Sequence, residues 1–208
     1  MSQLVVCQNA EGIVLAVDSK SVSFDSSGNM IDVQVDSLVQ LGPHAAILAG
    51  GAAESAEMCQ KLRTFLAEEE LTDVQDIYTA ALPFLGSEYE KIMRTKCETI
   101  PVDPIHHIYF ILAGYTPKDF LRPFRMYMLW TKKKLPQLDG DEIGFAYTVP
   151  RRMGLEYKLN QLAKDNVPLS QVLQAIKESM EILGQQQEEV GPPYDFASIT
   201  KEGFQKAD

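Results

Sequence analysis

The feature that most constrains this chain is the order in which its hydrophobic period changes. Leu4 to Gln8 and Ile13 to Asp18 read as two strands around the turn Asn9-Ala10-Glu11-Gly12, a hairpin that starts almost at the first residue. Ser19 to Asn29 is serine-rich and ends in Ser-Gly-Asn, which predicts a loop. Ile31, Val33 and Val35 then alternate with Asp32, Gln34 and Asp36, and a Gly42-Pro43 turn leads into the apolar run Ala45 to Ala49. From Ala52 the period becomes helical, with Met58, Leu62, Phe65 and Leu66 on one face. A second helix is expected from Thr72, where Thr72 and Gln75 have capping-box spacing. Ile77, Tyr78, Ala81, Leu82 and Leu85 form its buried face, with a kink or end at Pro83. Strands return at His107 to Gly114, Phe124 to Thr131 and Glu142 to Val149. Helices follow at Met153 to Asp165 and from Pro168 to a stop at Gly184, then a last strand, Tyr194 to Ile199, closed by Lys201-Glu202-Gly203. This order predicts an α/β (α+β) fold in which helices cover both outer faces of two stacked sheets, a four-layer αββα sandwich.

With 208 residues and 45% hydrophobic content, one domain over residues 1–208 is the expectation. A net charge of −10 argues against nucleic-acid binding, because affinity for phosphate backbones comes from clustered Lys and Arg. The only basic run, Lys132-Lys133-Lys134, lies between a strand and the turn-like Pro136 to Gly140 and reads as a solvated hairpin end. The start of the chain does not read as a signal peptide, and no apolar stretch approaches the roughly 20 residues that span a bilayer, so a cytoplasmic, non-membrane protein is expected. Cys7, Cys59 and Cys97 are too scattered for a disulfide framework and read as buried thiols. His106 and His107 should point to opposite faces of a strand and lack a third ligand, so no metal is expected. The absence of a glycine-rich phosphate loop predicts no nucleotide cofactor. Trp130 with Met126, Tyr127 and Met128 reads as strand core or subunit contact rather than a ligand box.

Three segments carry a resemblance. Gly12-Ile13-Val14-Leu15-Ala16-Val17-Asp18-Ser19-Lys20 resembles the second strand of proteasome β subunits and their bacterial relatives, and Leu48-Ala49-Gly50-Gly51-Ala52-Ala53-Glu54 resembles their strand-to-helix junction. A closing Gly-Pro-Pro-Tyr-Asp-Phe-Ala-Ser-Ile-Thr-Lys-Glu-Gly from Gly191 completes the set, while Cys97 to Pro150 matches by strand pattern only. The resemblance implies a proteasome β-type N-terminal-nucleophile hydrolase, with subunits assembled into a ring or stacked rings, an unfoldase as a further partner, and peptides as substrate. In that family the nucleophile stands sixteen positions before the aspartate of the Asp-Ser pair, which falls on Ser2 here. After removal of Met1, Ser2 would supply both the hydroxyl and, through an α-amine of unperturbed pKa about 8, the base. By the same resemblance Asp18 would orient the terminus and the Gly50 N–H would hold the oxyanion.

The sequence also departs from that pattern. The family's third-strand lysine is missing: residues 34–36 are Gln34-Val35-Asp36, and no Lys or Arg occurs from Ser21 to Gln60. The aspartate and serine that support the terminal amine fall on Gln187 and Val190. Lys20, at period two from Asp18, could substitute as the cation, although it also matches the basic residue usual beside the Asp-Ser pair. Three readings therefore stand at this point: a peptidase or amidase using Ser2, Asp18 and Gly50; a non-catalytic assembly subunit of the same fold; and an N-terminal-nucleophile amidase that acts on a small molecule as a monomer or dimer.

Overall fold

A computed structural model describes residues 2–24, 29–96, 108–131, 137–188 and 190–207. Cys97, His106, His107, Lys132-Lys133-Lys134 and Pro136 lie outside them, so the readings made for these residues are not addressed by the structure. The fold is α+β. Strands β1 (Leu4–Gln8), β2 (Ile13–Asp18), β10 (Ala146–Val149), β11 (Tyr194–Thr200) and β12 (Gly203–Ala207) form a first sheet in the order β10-β1-β2-β11-β12. Strands β5 (Leu38–Gly42), β6 (Ala45–Gly51), β7 (Ile108–Tyr115), β8 (Phe124–Thr131) and β9 (Leu138–Glu142) form a second sheet in sequence order. All described pairings are antiparallel, and β3 (Lys20–Phe24) with β4 (Met30–Gln34) makes a separate hairpin.

Alternation along the strands sorts the core into three apolar clusters. Leu4, Val6, Ile13, Leu15 and Val17 of the first sheet meet Ala46, Leu48, Ile111, Met126 and Met128 of the second. Their neighbours Val5, Cys7, Val14 and Ala16 face Leu159, Val172, Ile176 and Met180 of helices α3 (Met153–Lys164) and α4 (Leu169–Gln186). On the second sheet, Ile47, Phe110, Leu112 and Leu129 face Met58, Leu62, Ile77 and Leu85 of helices α1 (Glu54–Glu68) and α2 (Val74–Lys96). Tyr127 projects to this side and stacks on Tyr78, ring centroids 4.0 Å apart, so the Met126 to Trp130 run is strand core.

Several elements differ from the sequence reading. The serine-rich loop expected at Ser19 to Asn29 begins as β3, because Lys20, Val22 and Phe24 alternate with Ser21 and Ser23 and pair with β4. Glu142 to Val149 is two strands: β9 edges the second sheet, β10 edges the first, and residues 143–145 cross between them. The expected turn at residues 138–140 is therefore strand. Asp73, rather than the Thr72/Gln75 pair, caps α2: its carbonyl accepts the Ile77 N–H and its carboxylate accepts the Gln75 N–H at 2.9 Å. Helix α2 runs through Pro83 to Lys96, carried by the apolar face it buries on both sides of the proline. Helix α4 passes Gly184 and ends at Gln186; a Cβ on Gly184 would lie 2.1 Å from the Tyr194 hydroxyl, so this glycine serves packing rather than termination. After Lys201-Glu202, the chain returns as an additional strand, β12.

Candidate active site

Ser2 precedes β1 and is buried, 1% exposed. It is not frayed: its hydroxyl donates to the Lys20 carbonyl at 2.6 Å. The following N–H, from Gln3, donates to Asp18 Oδ1 at 2.7 Å, and the Gly191 N–H donates to Asp18 Oδ2 at 3.3 Å. Asp18, at the end of β2, thus ties the first residues of the chain to the loop after α4. Burial pushes its carboxyl up to about 6, opposed by the bonds from Gln3 and Gly191.

Lys20 extends its ammonium to the Glu188 carbonyl at 2.9 Å, beside Gly191, where an added Cβ would lie 3.1 Å from Lys20 Cε. The stretch aligned with the missing lysine does pass close by, since the Val35 N–H donates to the Ser19 carbonyl at 3.0 Å. Asp36, however, is exposed in a shallow groove with Gln60, Arg63 and Lys206. Its charge raises the already buried Cys59 thiol, for which burial is the larger cause.

Gly50 lies near the end of β6, opposite Tyr109. A Cβ there would come within 2.6 Å of Leu4 Cδ1, two residues after Ser2, so the absent side chain is what lets the two sheets close at this point. The Ala49 N–H donates to Ser37, towards β5; alternation turns the Gly50 N–H the other way, towards β7. The strand ends at Gly51, with φ +93°, a conformation that favours glycine.

No local sequence pattern points to Arg152. Its Nε donates to Gln3 Oε1 at 3.1 Å and its Nη2 to Gln187 Oε1, joining the residue after Ser2 to the end of α4. Gln3, wholly buried, uses its own amide to donate to the Leu4 and Pro150 carbonyls, each at 3.2 Å. Behind Arg152, Thr148 Oγ1 accepts the Arg152 N–H at 2.7 Å and donates to the buried Glu156. Burial pushes the Glu156 carboxyl up more than any one bond pulls it down, but the Arg151 guanidinium and Thr148 together hold it below its ordinary range. Only long-range geometry could reveal this network, because Gln3 and Arg152 are 149 positions apart.

Among the described residues, no group of three His, Cys, Asp or Glu side chains could hold a metal ion, and no helix is long and apolar enough to cross a membrane.

No family model matches the chain, and no curated protein matches it. Solved structures that share its fold include two Anbu proteins. Anbu (ancestral beta-subunit) from Yersinia bercovieri superposes with a TM-score of 0.69 at 16% identity, covering 98% of this chain and 86% of its own. An Anbu mutant from Hyphomicrobium sp. strain MC1 gives 0.68 at 14% identity, covering 100% and 86%. These findings correct the sequence-based assignment to the proteasome β-type family itself. The structural neighbours are Anbu proteins, proteasome-like but a distinct lineage, and at this identity the likeness is one of fold.

Proposed function

We propose that this chain is a peptidase-type hydrolase subunit with an Anbu-like fold, using Ser2 as nucleophile once Met1 is removed. The observation that carries this reading is the clamp on the first residues: the Ser2 hydroxyl on Lys20 and the Gln3 N–H on buried Asp18 hold the terminus in register with β2. The α-amine of the same residue then takes the Ser2 hydroxyl proton, directly or through a water, as the oxygen bonds to the amide carbon, and returns it to the amine that leaves when the C–N bond breaks. Asp18 orients the segment. Gly50 is assigned the oxyanion through its N–H, which requires the end of β6 to yield its place opposite Tyr109. The three apolar clusters support a single domain over residues 1–208 built as a four-layer αββα sandwich. Likeness to an ancestral β-subunit supports self-association into a ring or stacked rings acting on peptides in the cytoplasm, with an unfoldase as feeding partner.

A second reading, a non-catalytic assembly subunit, is favoured by the missing cation at residues 34–36, by Gln187 and Val190 in place of supporting polar groups, and by the direction of the Gly50 N–H. Intact-mass analysis with an electrophile directed at N-terminal hydroxyls separates the two. Loss of Met1 and stoichiometric labelling, abolished in Ser2→Ala, is the expected result; a processed but unlabelled terminus, or a retained Met1, favours the assembly reading.

A further inference from the structure

We infer that Arg152 is a positioning residue for the N-terminal nucleophile, supplying from the start of α3 a positive charge that residues 34–36 lack. The inference rests on the hydrolase reading above for its purpose, but on separate contacts for its geometry. Arg152 is bonded to the side chain of the residue that follows Ser2; that side chain is wholly buried and fixed by the Leu4 and Pro150 carbonyls, so the guanidinium cannot drift from the terminus without depriving the buried Gln3 Oε1 of this donor. Its other arm holds Gln187, at the position where the resemblance expects an aspartate. A neutral amide there leaves the guanidinium's charge uncancelled, whereas an aspartate would pair with it. The bonds form a closed circuit: Gln3 to Arg152, Arg152 to Gln187 at the end of α4, then four residues on to Gly191, from Gly191 to Asp18, and from Asp18 back to Gln3.

Among the described residues, the charged and titratable groups around this terminus are Asp18 on β2, Lys20 on β3, Arg152 before α3 with the Arg151–Glu156 pair behind it, Glu188 after α4, and Tyr194 and Asp195 on β11. Lys20 donates to the neutral Glu188 carbonyl and keeps its charge, so it acts in the same sense as Arg152, while Asp195 is paired with Ser19 and Lys206. Asp18, the buried anion, favours a protonated amine. A nearby cation disfavours it, so Arg152 offsets Asp18 and keeps a larger neutral fraction of the Ser2 amine, the form that can accept a proton.

The test is a titration of the Ser2 α-amine by 15N NMR in the chain with Met1 removed by a methionine aminopeptidase, comparing the parent with Arg152→Gln, Arg152→Met and Arg152→Lys. Loss of the charge is expected to raise the amine pKa by about half a unit to one unit in both neutral variants, with Arg152→Lys returning most of the way to the parent. The neutral variants differ in their capacity to hydrogen-bond, so at least one is expected to retain the fold. An amine that titrates alike in parent and neutral variants overturns the inference, as does a shift that lysine leaves in place, since that would trace to packing rather than charge. Electrophile labelling of the parent is read separately: an unlabelled parent whose amine follows Arg152 removes the hydrolase reading and leaves this one standing, and a labelled parent whose amine ignores Arg152 does the reverse.

Discussion

The two helical coverings of this molecule do different work. Helices α1 and α2 lie on the second sheet over a broad apolar cluster with Leu62, Leu66, Ile77, Phe110 and Tyr89 at its centre. Glu88, the buried carboxylate on that side, is paired by Lys61 and Lys91 from the rim. Helices α3 and α4 cover the first sheet over a smaller apolar cluster and share that face with buried Gln3, Asn9, Asp18, Thr148 and Glu156. The first covering is a source of stability. The second gives up apolar area to hold polar groups, each with a hydrogen-bond partner, which is how a fold builds a site rather than a core.

The sharpest way to break this contrast is to damage the apolar covering. Leu62→Ala, at a fully buried position, should cost about 2–5 kcal/mol through lost burial and the cavity left behind, while Ser2 labelling per folded molecule stays at the parent level. Denaturant unfolding together with the mass assay reads both; a cost under about 1 kcal/mol would mean that this cluster is not the stabilising one.

The polar covering predicts a pH signature of opposite sense to ordinary acid denaturation. Asp18 has a folded pKa of about 6, above its unpaired value of 3.8, so the protonated form is favoured in the fold. Its contribution is full below pH 4 and is lost as pH rises through 6, amounting to about 3 kcal/mol between the two limits. Glu88 and Glu156, whose pKa values are lowered, act in the other direction, with stability lost as pH falls, so the effect must be read as parent minus Asp18→Asn. That difference should decline between pH 4 and pH 6. A flat difference would mean that Asp18 is not desolvated.

A smaller effect sharpens the comparison at the start of α4. Pro168 offers no side-chain cap there, and the Leu169 N–H is taken instead by Glu11 Oε2 at 2.8 Å, from the β1–β2 turn. Glu11→Ala should cost about 1 kcal/mol and increase amide exchange in the first turn of α4; unchanged exchange would show that water replaces the carboxylate without loss. Least of all, Glu90→Ala on the exposed surface of α2 should change stability by less than about 0.5 kcal/mol, although its carboxylate bonds Arg94.

What the sequence made legible follows from where the periodicity is local. The β1–β2 hairpin, helix α1 and helix α3 were readable because Leu4 to Asp18, Met58 to Leu66 and Met153 to Asp165 each carry their own pattern within a few turns or pairs. Strand β3 was hidden by serines at Ser21 and Ser23, and the division between β9 and β10 was hidden because an apolar residue, Ile143, lies in the crossing itself. In the candidate site, Ser2, Asp18 and Gly50 could be proposed by counting from a resemblance, whereas Arg152 depends on a pairing that no local pattern encodes.

The order of the first sheet has a consequence for how the protein is made. Its central pair, β1 and β2, leaves the ribosome first, yet the strands that flank it, β10 and β11, are synthesised more than a hundred residues later. The crossing at residues 143–145 fixes the moment of closure, since the Ile143 N–H is held by Met126 of the second sheet and the Phe145 carbonyl by the Gln8 N–H of the first. Until that segment emerges, the nascent hairpin carries two open edges, so a translational pause before β10 would prolong exposure of the part of the chain most in need of being covered.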